Sequence, residues 1–517
     1  MGARVLQTGG MQGRGGSNAE FLDAASLCRH LVPDGSVHAF LADHRRRLFP
    51  DAFFEDLFPT GRGRPSVPAD VVATVMVLQA LEGLSDREAG EALRRDIAWK
   101  AAAGLAVTDE GFHPTVLTYW RARLRASARP ERIFDAVREV ITETGVLAGK
   151  SRRALDSTVL DDAVATQDTV TQLVAAIRRV RRVVPAATTI ELRAHDYEQA
   201  GKPECAWDDP DAKDALVTGL VNDALALLDA IEPTMLNTEQ ADALGLLALV
   251  AGQDVEPGDD EGAWRIARGT APDRVISIVD PESRHVHKSV RGYRDGYKAH
   301  IAVEPETGLV TATALTPGNA PDGPTGVELL AGDEPGLEVL ADSAYGSGET
   351  RVALRAAKHH QTIKPIPRRN TRLPGAFTKN DFVIDLDQRR VTCPAGHTKI
   401  VDRGGKAKFG ACCRACPLRI RCTTSRAGRT IVLHPNEDEL LAAHERVRDP
   451  EFIASYRRWR PMVERSIAWL VADGNRRVRY RGIERNHHGL SLRVAAINLR
   501  RLVNLGLHHQ QRWRLAT

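Results

Sequence analysis

Residues 297–315, YKAHIAVEPETGLVTATAL, hold two β-rich runs around a Pro-Glu-Thr-Gly turn, and this pairing constrains the chain more than any other stretch. Runs of that kind across so short a turn predict an antiparallel hairpin, so the chain contains a sheet whose other strands must be found nearby. Strand-like segments supply them: RRALDSTVL (152–160), RVISIVD (274–280), EVLAD (338–342) and QTIKPIP (361–367). Helix-forming runs lie between the later ones. The order strand, hairpin, helix, strand, helix can place the first and fourth strands side by side.

Two of these strands carry a carboxylate. Asp156 sits in mid-run, and Asp342 ends an apolar run before Ser, Gly and Tyr take over. An Asp there serves either as a turn cap or as a ligand. More than a third of the chain lies between the two, yet adjacent strands would bring them face to face. Like charges at short range resist ionising together, and a divalent cation with oxygen ligands, magnesium or manganese, relieves that cost. A third acid is found in ASYRRWRPMVERSIAWLVADG, where Met462, Val463, Ile467, Trp469, Leu470 and Val471 predict a largely buried helix into which Glu464 projects. Arg460 lies one turn earlier, a spacing that an ordinary surface ion pair also uses. Pro461 either starts this helix or kinks it.

A chain of 517 residues predicts two to four domains. Residues 1–20 are Gly-rich and expected to be disordered. A helical N-terminal domain, 21–130, holds the apolar DVVATVMVLQALEGL, a capping box from Ser85 to Glu88 opening a helix through Arg95, and TVLTYWRARLRA at 115–126. In the last, Arg121, Arg123 and Arg125 interleave with Tyr119 and Trp120. That pattern suits a helix-turn-helix DNA-binding unit, or a bundle with a solvated arginine face. Residues 161–269 read as an inserted helical subdomain.

The net charge of +4 is only mildly basic, so its distribution matters more. Residues 476–517 carry ten Arg, Arg476 and Arg477 among them, against the single acid Glu484, which predicts a polyanion-facing surface at that end. Its run GLSLRVAAINLRRLVNLGL is amphipathic, and His487 and His488 are expected to face solvent, with a metal role as the alternative. No apolar run approaches the roughly eighteen residues of a membrane span, and the first residues lack a signal-peptide core, so a cytoplasmic protein is expected.

Five of the seven cysteines fall between Cys393 and Cys422. Cys393-Pro-Ala-Gly-His397, Cys413-Arg-Ala-Cys416 and Cys422 give a knuckle-like frame, so Cys393, Cys413, Cys416 and Cys422 are expected to hold a structural zinc. Cys412 and His397 are alternative members, and a cluster of free thiols is the other reading.

In this order, RALDSTVL, GYKAHIAVEPETGLVTATALTPGNAPD, VLADSAYGSGETR and YRRWRPMVERS resemble the signature segments of DDE transposases from bacterial insertion sequences. The run GRGRPSVPADVVATVMVLQALEGLSDREAGEALRRDIAWKAAAGL resembles their helical amino-terminal domain. The resemblance implies an RNase H-like α/β core made of 151–160 with 270–368, split by the helical insert. It further implies a zinc-ribbon-like Cys-rich insert at 369–436, with a catalytic-Glu helix and a basic C-terminal helix at 437–517. Asp156, Asp342 and Glu464 become the catalytic triad holding two magnesium or manganese ions, with Glu484 as the rival third ligand. Related transposases carry a basic residue about seven positions after the Glu. Here that position is Val471, leaving Arg465, Arg476 or Arg477 to meet phosphates beside Arg460. The implied activity is cleavage and strand transfer on double-stranded DNA, transposon ends and target, by a homodimer associated with the nucleoid. The rivals are a non-catalytic DNA-binding regulator and a nuclease of related fold.

Overall fold

A computed structural model describes residues 11–13, 22–59, 63–289, 292–368 and 375–516. Apart from 11–13, the Gly-rich start expected to be disordered lies outside the described residues.

The N-terminal region is all helical: α1 (Ala24–Cys28), α2 (Val37–Leu48), α3 (Ala69–Glu82), α4 (Asp86–Arg95), α5 (Ile97–Ala103), α6 (Thr115–Ala126) and α7 (Arg132–Thr144). Helix α3 is apolar on every side and is accordingly buried over nearly its whole length. Its one early charge, Asp70, is met by Arg45 Nε at 3.2 Å. The Ser85–Glu88 capping box forms as expected and opens α4. Gly83 ends α3 at φ 69°, where a Cβ would run into the Asp473 carbonyl oxygen, so this helix end abuts the C-terminal half of the chain.

Strand β1 (Arg152–Asp161) follows, and then helices α8 (Thr169–Val183), α9 (Pro210–Ala230) and α10 (Thr238–Gln253) with the short hairpin β2 (Val255–Pro257) and β3 (Trp264–Ile266). These helices close their own apolar core, to which Val275 and Ile278 contribute. RVISIVD is not a strand. Its backbone is met by side chains instead: Gln172 and Gln253 both donate to the Val275 carbonyl at 3.0 Å, and Gln167 Oε1 accepts from Ile278 N at 2.9 Å. Glutamines from the insert thereby take the place of a neighbouring strand.

The sheet resumes with β4 (Arg284–Ser289) and the expected hairpin β5 (Gly292–Glu304) and β6 (Leu309–Pro317). Helix α11 (Asp322–Glu328), strand β7 (Glu338–Ala341), helix α12 (Gly348–Ala356) and strand β8 (His360–Ile363) complete it. The order is β4-β5-β1-β7-β8, with β6 also on β5; β1 is antiparallel to β5 and parallel to β7, and β7 is parallel to β8. The first and fourth strands of the sequence reading are therefore neighbours.

A Cys-rich module comes next, with β9 (Val383–Asp385), β10 (Arg390–Thr392) and β11 (Thr398–Ile400) in one small sheet and β12 (Lys406–Lys408) and β13 (Thr430–Val432) in another. It has its own core of Phe382, Val391, Val401, Ala407, Phe409 and Ile431. Helices α13 (Glu437–Arg446), α14 (Pro450–Val471) and α15 (Ile483–Asn504) return to the sheet, and an unanticipated hairpin, β14 (Leu507–Gln510) and β15 (Arg512–Leu515), ends the chain. The N-terminal helices, β1, β5, β6, α14 and α15 share one continuous core. Among the described residues, no helix is long and apolar enough to cross a membrane.

Arginines of the C-terminal segment make this common core possible. Arg493, 3 % exposed, donates to the carbonyls of Ala80 and Leu81 near the end of α3 and of Trp469 and Leu470 near the end of α14. Arg479 reaches the Gly83 and Leu84 carbonyls, and Arg501 holds the Thr307 carbonyl. Carbonyls at helix ends and turns lack intrahelical donors, and guanidinium forks supply them. The polyanion-facing surface expected from the ten Arg of 476–517 is corrected for Arg493, which is turned inward; Arg477, Arg479, Arg481, Arg485, Arg512 and Arg514 remain exposed. Of the two histidines expected at the surface, His488 is inside and His487 is half-buried. His488 is buried without a hydrogen-bond partner, and His487 Nδ1 pairs with Glu131 Oε1 at 2.9 Å.

Candidate active site

The pairing of β1 with β7 aligns Ala154 with Leu340, so Asp156 and Asp342 stand level, two residues further along. Strand β7 stops at Ala341, and Asp342 caps the following turn: its Oδ1 accepts from Ala344 N at 2.8 Å. The turn-cap and ligand readings are thus compatible, since the cap leaves the second carboxylate oxygen uncommitted.

Asp156 stays on the strand and accepts from its neighbour's amide, Ser157 N, at 2.8 Å. Arg460 Nη2 lies 3.0 Å from Asp156 Oδ2, and both side chains are largely buried. Burial pushes the Asp156 carboxyl upward; Arg460 opposes this, and the charge of Asp342 adds to it. The two aspartates therefore feel each other. Arg460 leaves Nε and Nη1 buried without a hydrogen-bond partner, so this guanidinium has unused donors beside the carboxylates.

Helix α14 begins at Pro450, capped by Asp449, and carries Pro461 in its interior, so the proline does not start the helix. The helix packs on β1, β7 and β8. Of the apolar set expected to be buried, Val463 and Leu470 are; Met462, Ile467, Trp469 and Val471 are half-buried. Glu464 does not project into a buried core. Its side chain is exposed, one turn from Arg460, because the inward stripe of α14 runs through Arg460, Val463, Ser466 and Leu470. Its charge nonetheless reaches the same place: burial raises the Tyr456 phenol, Arg460 opposes this, and Asp342 and Glu464 both add to it.

A fourth carboxylate went unnoticed in the sequence. Burial raises the Tyr345 phenol, and Asp322, Asp156 and Asp342 all push the same way, which places Asp322 beside the pair. Asp322 opens α11, with Lys298 Nζ at 3.2 Å and His300 Nδ1 at 3.6 Å. The fully buried His300 imidazole is pushed down to about 4, chiefly by burial. Lys298 and His300 alternate on β5 ahead of the loop bearing Asp322, and that alternation was the available signal.

Among the described residues, no three His, Cys, Asp or Glu side chains are gathered into a set disposed to hold a metal ion. The donor chemistry at the sheet end fits a hard divalent cation all the same: two carboxylates on neighbouring strands, one raised chiefly by burial with the other adding to it, and a third acid on a helix packed against both strands.

The cysteines Cys393, Cys412, Cys413, Cys416 and Cys422 line one small cavity together with His397. Burial raises the Cys422 thiol, and Cys413, Cys393 and Cys416 add to the shift. Cys413 Sγ accepts from Arg429 N at 3.4 Å, and Gly396 at φ 82° closes the turn in which its N–H meets the Cys393 carbonyl at 2.8 Å. Thiolates are zinc ligands by type, but among the described residues no three of these side chains are gathered into a metal-holding set.

The arginines named for DNA fall differently. Arg121, 4 % exposed, is bound to Asp86 and to Gln79 Oε1, which corrects its reading as a DNA contact: it ties α6 to α3 and α4. Arg123 lies over the Phe58 ring and Arg125 is half-buried. Arg476 donates to the Val159 carbonyl and Arg477 to that of Asp162, both on or beside the end of β1. Glu484 opens α15, a different helix from the one packed on the aspartate strands.

Residues 392–503 match the family described as Transposase DDE domain, and residues 29–123 match Transposase domain (DUF772). No curated protein and no solved structure matches the chain. Both families are transposases. Together they indicate a DDE transposase of an insertion sequence. The first match contains Glu464 and the cysteines; Asp156 and Asp342 lie outside both matches. The family implies DNA as substrate and use of a divalent metal.

Proposed function

We propose that this protein binds the terminal inverted repeats of its insertion sequence, cuts a phosphodiester at each end, and joins the freed end to target DNA. The carrying observation is the level placement of Asp156 and Asp342 on parallel neighbours β1 and β7, with α14 and its Glu464 packed across both. This arrangement is what an RNase H-like core requires, and Asp156, Asp342 and Glu464 are its catalytic acids.

Two magnesium or manganese ions held by these carboxylates would supply activation of the attacking oxygen and stabilisation of the leaving one. In cutting, water attacks phosphorus, the P–O3′ bond breaks, and the 3′ oxygen takes up a proton. In joining, that 3′-hydroxyl gives up its proton and attacks a target phosphorus, whose own 3′ oxygen leaves. No bond to the protein forms in either step. Arg460 opposes the effect of burial on Asp156 and holds the carboxylate in place. The β1–β7 register fixes the spacing of the two aspartates. Glu464, on the exposed flank of α14, completes the set as DNA and ions close the site.

The cysteine module holds a structural zinc through Cys393, Cys413, Cys416 and Cys422 in this reading. Two DNA ends call for two copies of the chain, so the working form is a homodimer on DNA. Incubation with labelled inverted-repeat DNA and magnesium tests the proposal. Wild-type protein nicks at the element's end, whereas Asp156→Asn and Asp342→Asn bind the same DNA and leave it intact. Undiminished cutting by either variant would refute the assignment.

A further inference from the structure

Between Arg389 and Arg429 the chain carries eleven Lys and Arg and one acid, Asp402. The whole chain is only +4, so everything outside this segment is net acidic. Like charges at that density repel one another and destabilise a small module unless a polyanion answers them. Most of these cations are not turned inward, although Arg389, Arg419 and Arg429 donate to backbone carbonyls. Arg390, Arg403, Lys406, Lys408, Arg414 and Arg426 are all exposed, and within the segment the single ion pair among the described residues is Lys408 with Asp402 at 4.0 Å.

The small sheets explain why. On β10 and β12 the alternate residues Val391 and Ala407 are fully buried in the module's core, which forces Arg390, Lys406 and Lys408 outward. In the C-terminal segment, by contrast, Arg493 is buried against four backbone carbonyls.

The module also has a fixed address. It leaves the main sheet directly after Ile363, whose partner on β7 is Ala341, the residue before Asp342. Its far end is clamped by buried Glu437, which accepts from Arg368 Nη2 at 2.8 Å, from His434 N at 2.9 Å and from Lys379. His434 Nε2 in turn lies 3.1 Å from Glu349 on α12, the helix that follows the Asp342 turn.

We infer that the outer face of the Cys-rich module is a docking surface for the phosphate backbone of duplex DNA, held beside the Asp156–Asp342 site to carry the flank of the DNA being cut. This rests on the transposase reading and adds a binding surface to it. Exposed arginines and lysines on two short strands offer phosphate contacts without a protruding helix for a groove, so the surface positions DNA and does not read its sequence.

The test compares wild-type full-length protein with Arg390→Gln/Arg403→Gln/Lys406→Gln and with the charge-keeping Arg390→Lys/Arg403→Lys. Affinity for an inverted-repeat duplex and for an unrelated duplex is measured over a salt series, with a thermal melt of each variant as the folding control. Removing one cation from a phosphate lowers the slope of log K against log salt by about 0.9. The Gln variant is expected to drop by about 2 to 3 units of slope on both duplexes equally, and the Lys variant to keep the wild-type slope. An unchanged slope in the Gln variant overturns the surface, as does a drop confined to the inverted repeat. Cutting by Asp156→Asn separates the two claims: if that variant cuts while the Gln variant shows the lower slope, the catalytic reading fails and the surface stands.

Discussion

Arg460 on α14 places Nη2 3.0 Å from Asp156 Oδ2 on β1, joining the helix of the third acid to the strand of the first. This contact opposes burial and Asp342, which both push the Asp156 carboxyl up.

Replacing Arg460 by Met should therefore destabilise the metal-free protein by about 3 kcal/mol near neutral pH, the scale of breaking a buried pair. The sign with pH follows from the raised carboxyl. A group whose folded pKa lies above its unfolded value favours the fold when protonated, so its contribution is full below the ordinary carboxylate range and is lost as pH rises through the raised value. Denaturant midpoints of Arg460→Met at pH 4.5 and pH 7.5 should differ more than those of wild type, with the loss on the neutral side.

His487 and Glu131 form a second pH-sensitive contact, between α15 and α7. The hydrogen bond to Glu131 raises the His487 imidazole above its usual 6.5, and the carboxyl of Glu131 is held low. The imidazolium's contribution is present below 6.5 and fades as pH rises through the raised value. His487→Gln should lose about 1 kcal/mol relative to wild type at pH 6 and progressively less as pH rises through the raised value, read from chemical denaturation.

Asn498, fully buried on α15, accepts from Val310 N and donates to the Val310 carbonyl, both at 2.8 Å. It thereby satisfies β6 where the β5–β6 register shifts. Asn498→Leu leaves both backbone groups buried and unpaired, a loss of about 2 to 5 kcal/mol in unfolding free energy. Arg493→Lys should likewise weaken the fold, because an ammonium cannot span four carbonyls, while leaving salt dependence on DNA unchanged.

For the cysteine module, purified protein is expected to contain zinc in equal amount to chain, and Cys413→Ser/Cys416→Ser to contain none. Because the module has its own core, chelation should open it to protease within 375–436 while the main sheet stays protected. Stoichiometric zinc in the double variant would remove the four-thiolate assignment.

These contacts also show what the sequence could carry. The β5–β6 hairpin and the adjacency of β1 and β7 were legible because turn chemistry and element order are local properties. The capping box at Ser85 was legible for the same reason. Arg493, Arg479 and Arg121 were not, since their partners are carbonyls and acids brought close only by packing, and a run of arginines looks alike whether it faces phosphate or a helix end. RVISIVD has strand composition, yet its backbone is met by Gln167, Gln172 and Gln253 of the insert. Glu464 was proposed from motif order, and its exposure depends on which stripe of α14 faces the sheet.

The most direct test of the central claim replaces each acid in turn by cysteine, as Asp156→Cys, Asp342→Cys and Glu464→Cys. A thiolate is a poor ligand for magnesium and a better one for manganese, so metal preference reports ligation itself. Cutting of inverted-repeat DNA should fall by about 10³-fold or more in magnesium for all three, the scale of losing a fixed charge-stabilising group, and recover in manganese. Full activity in magnesium, or no recovery in manganese for any of the three, would contradict a metal site built from Asp156, Asp342 and Glu464.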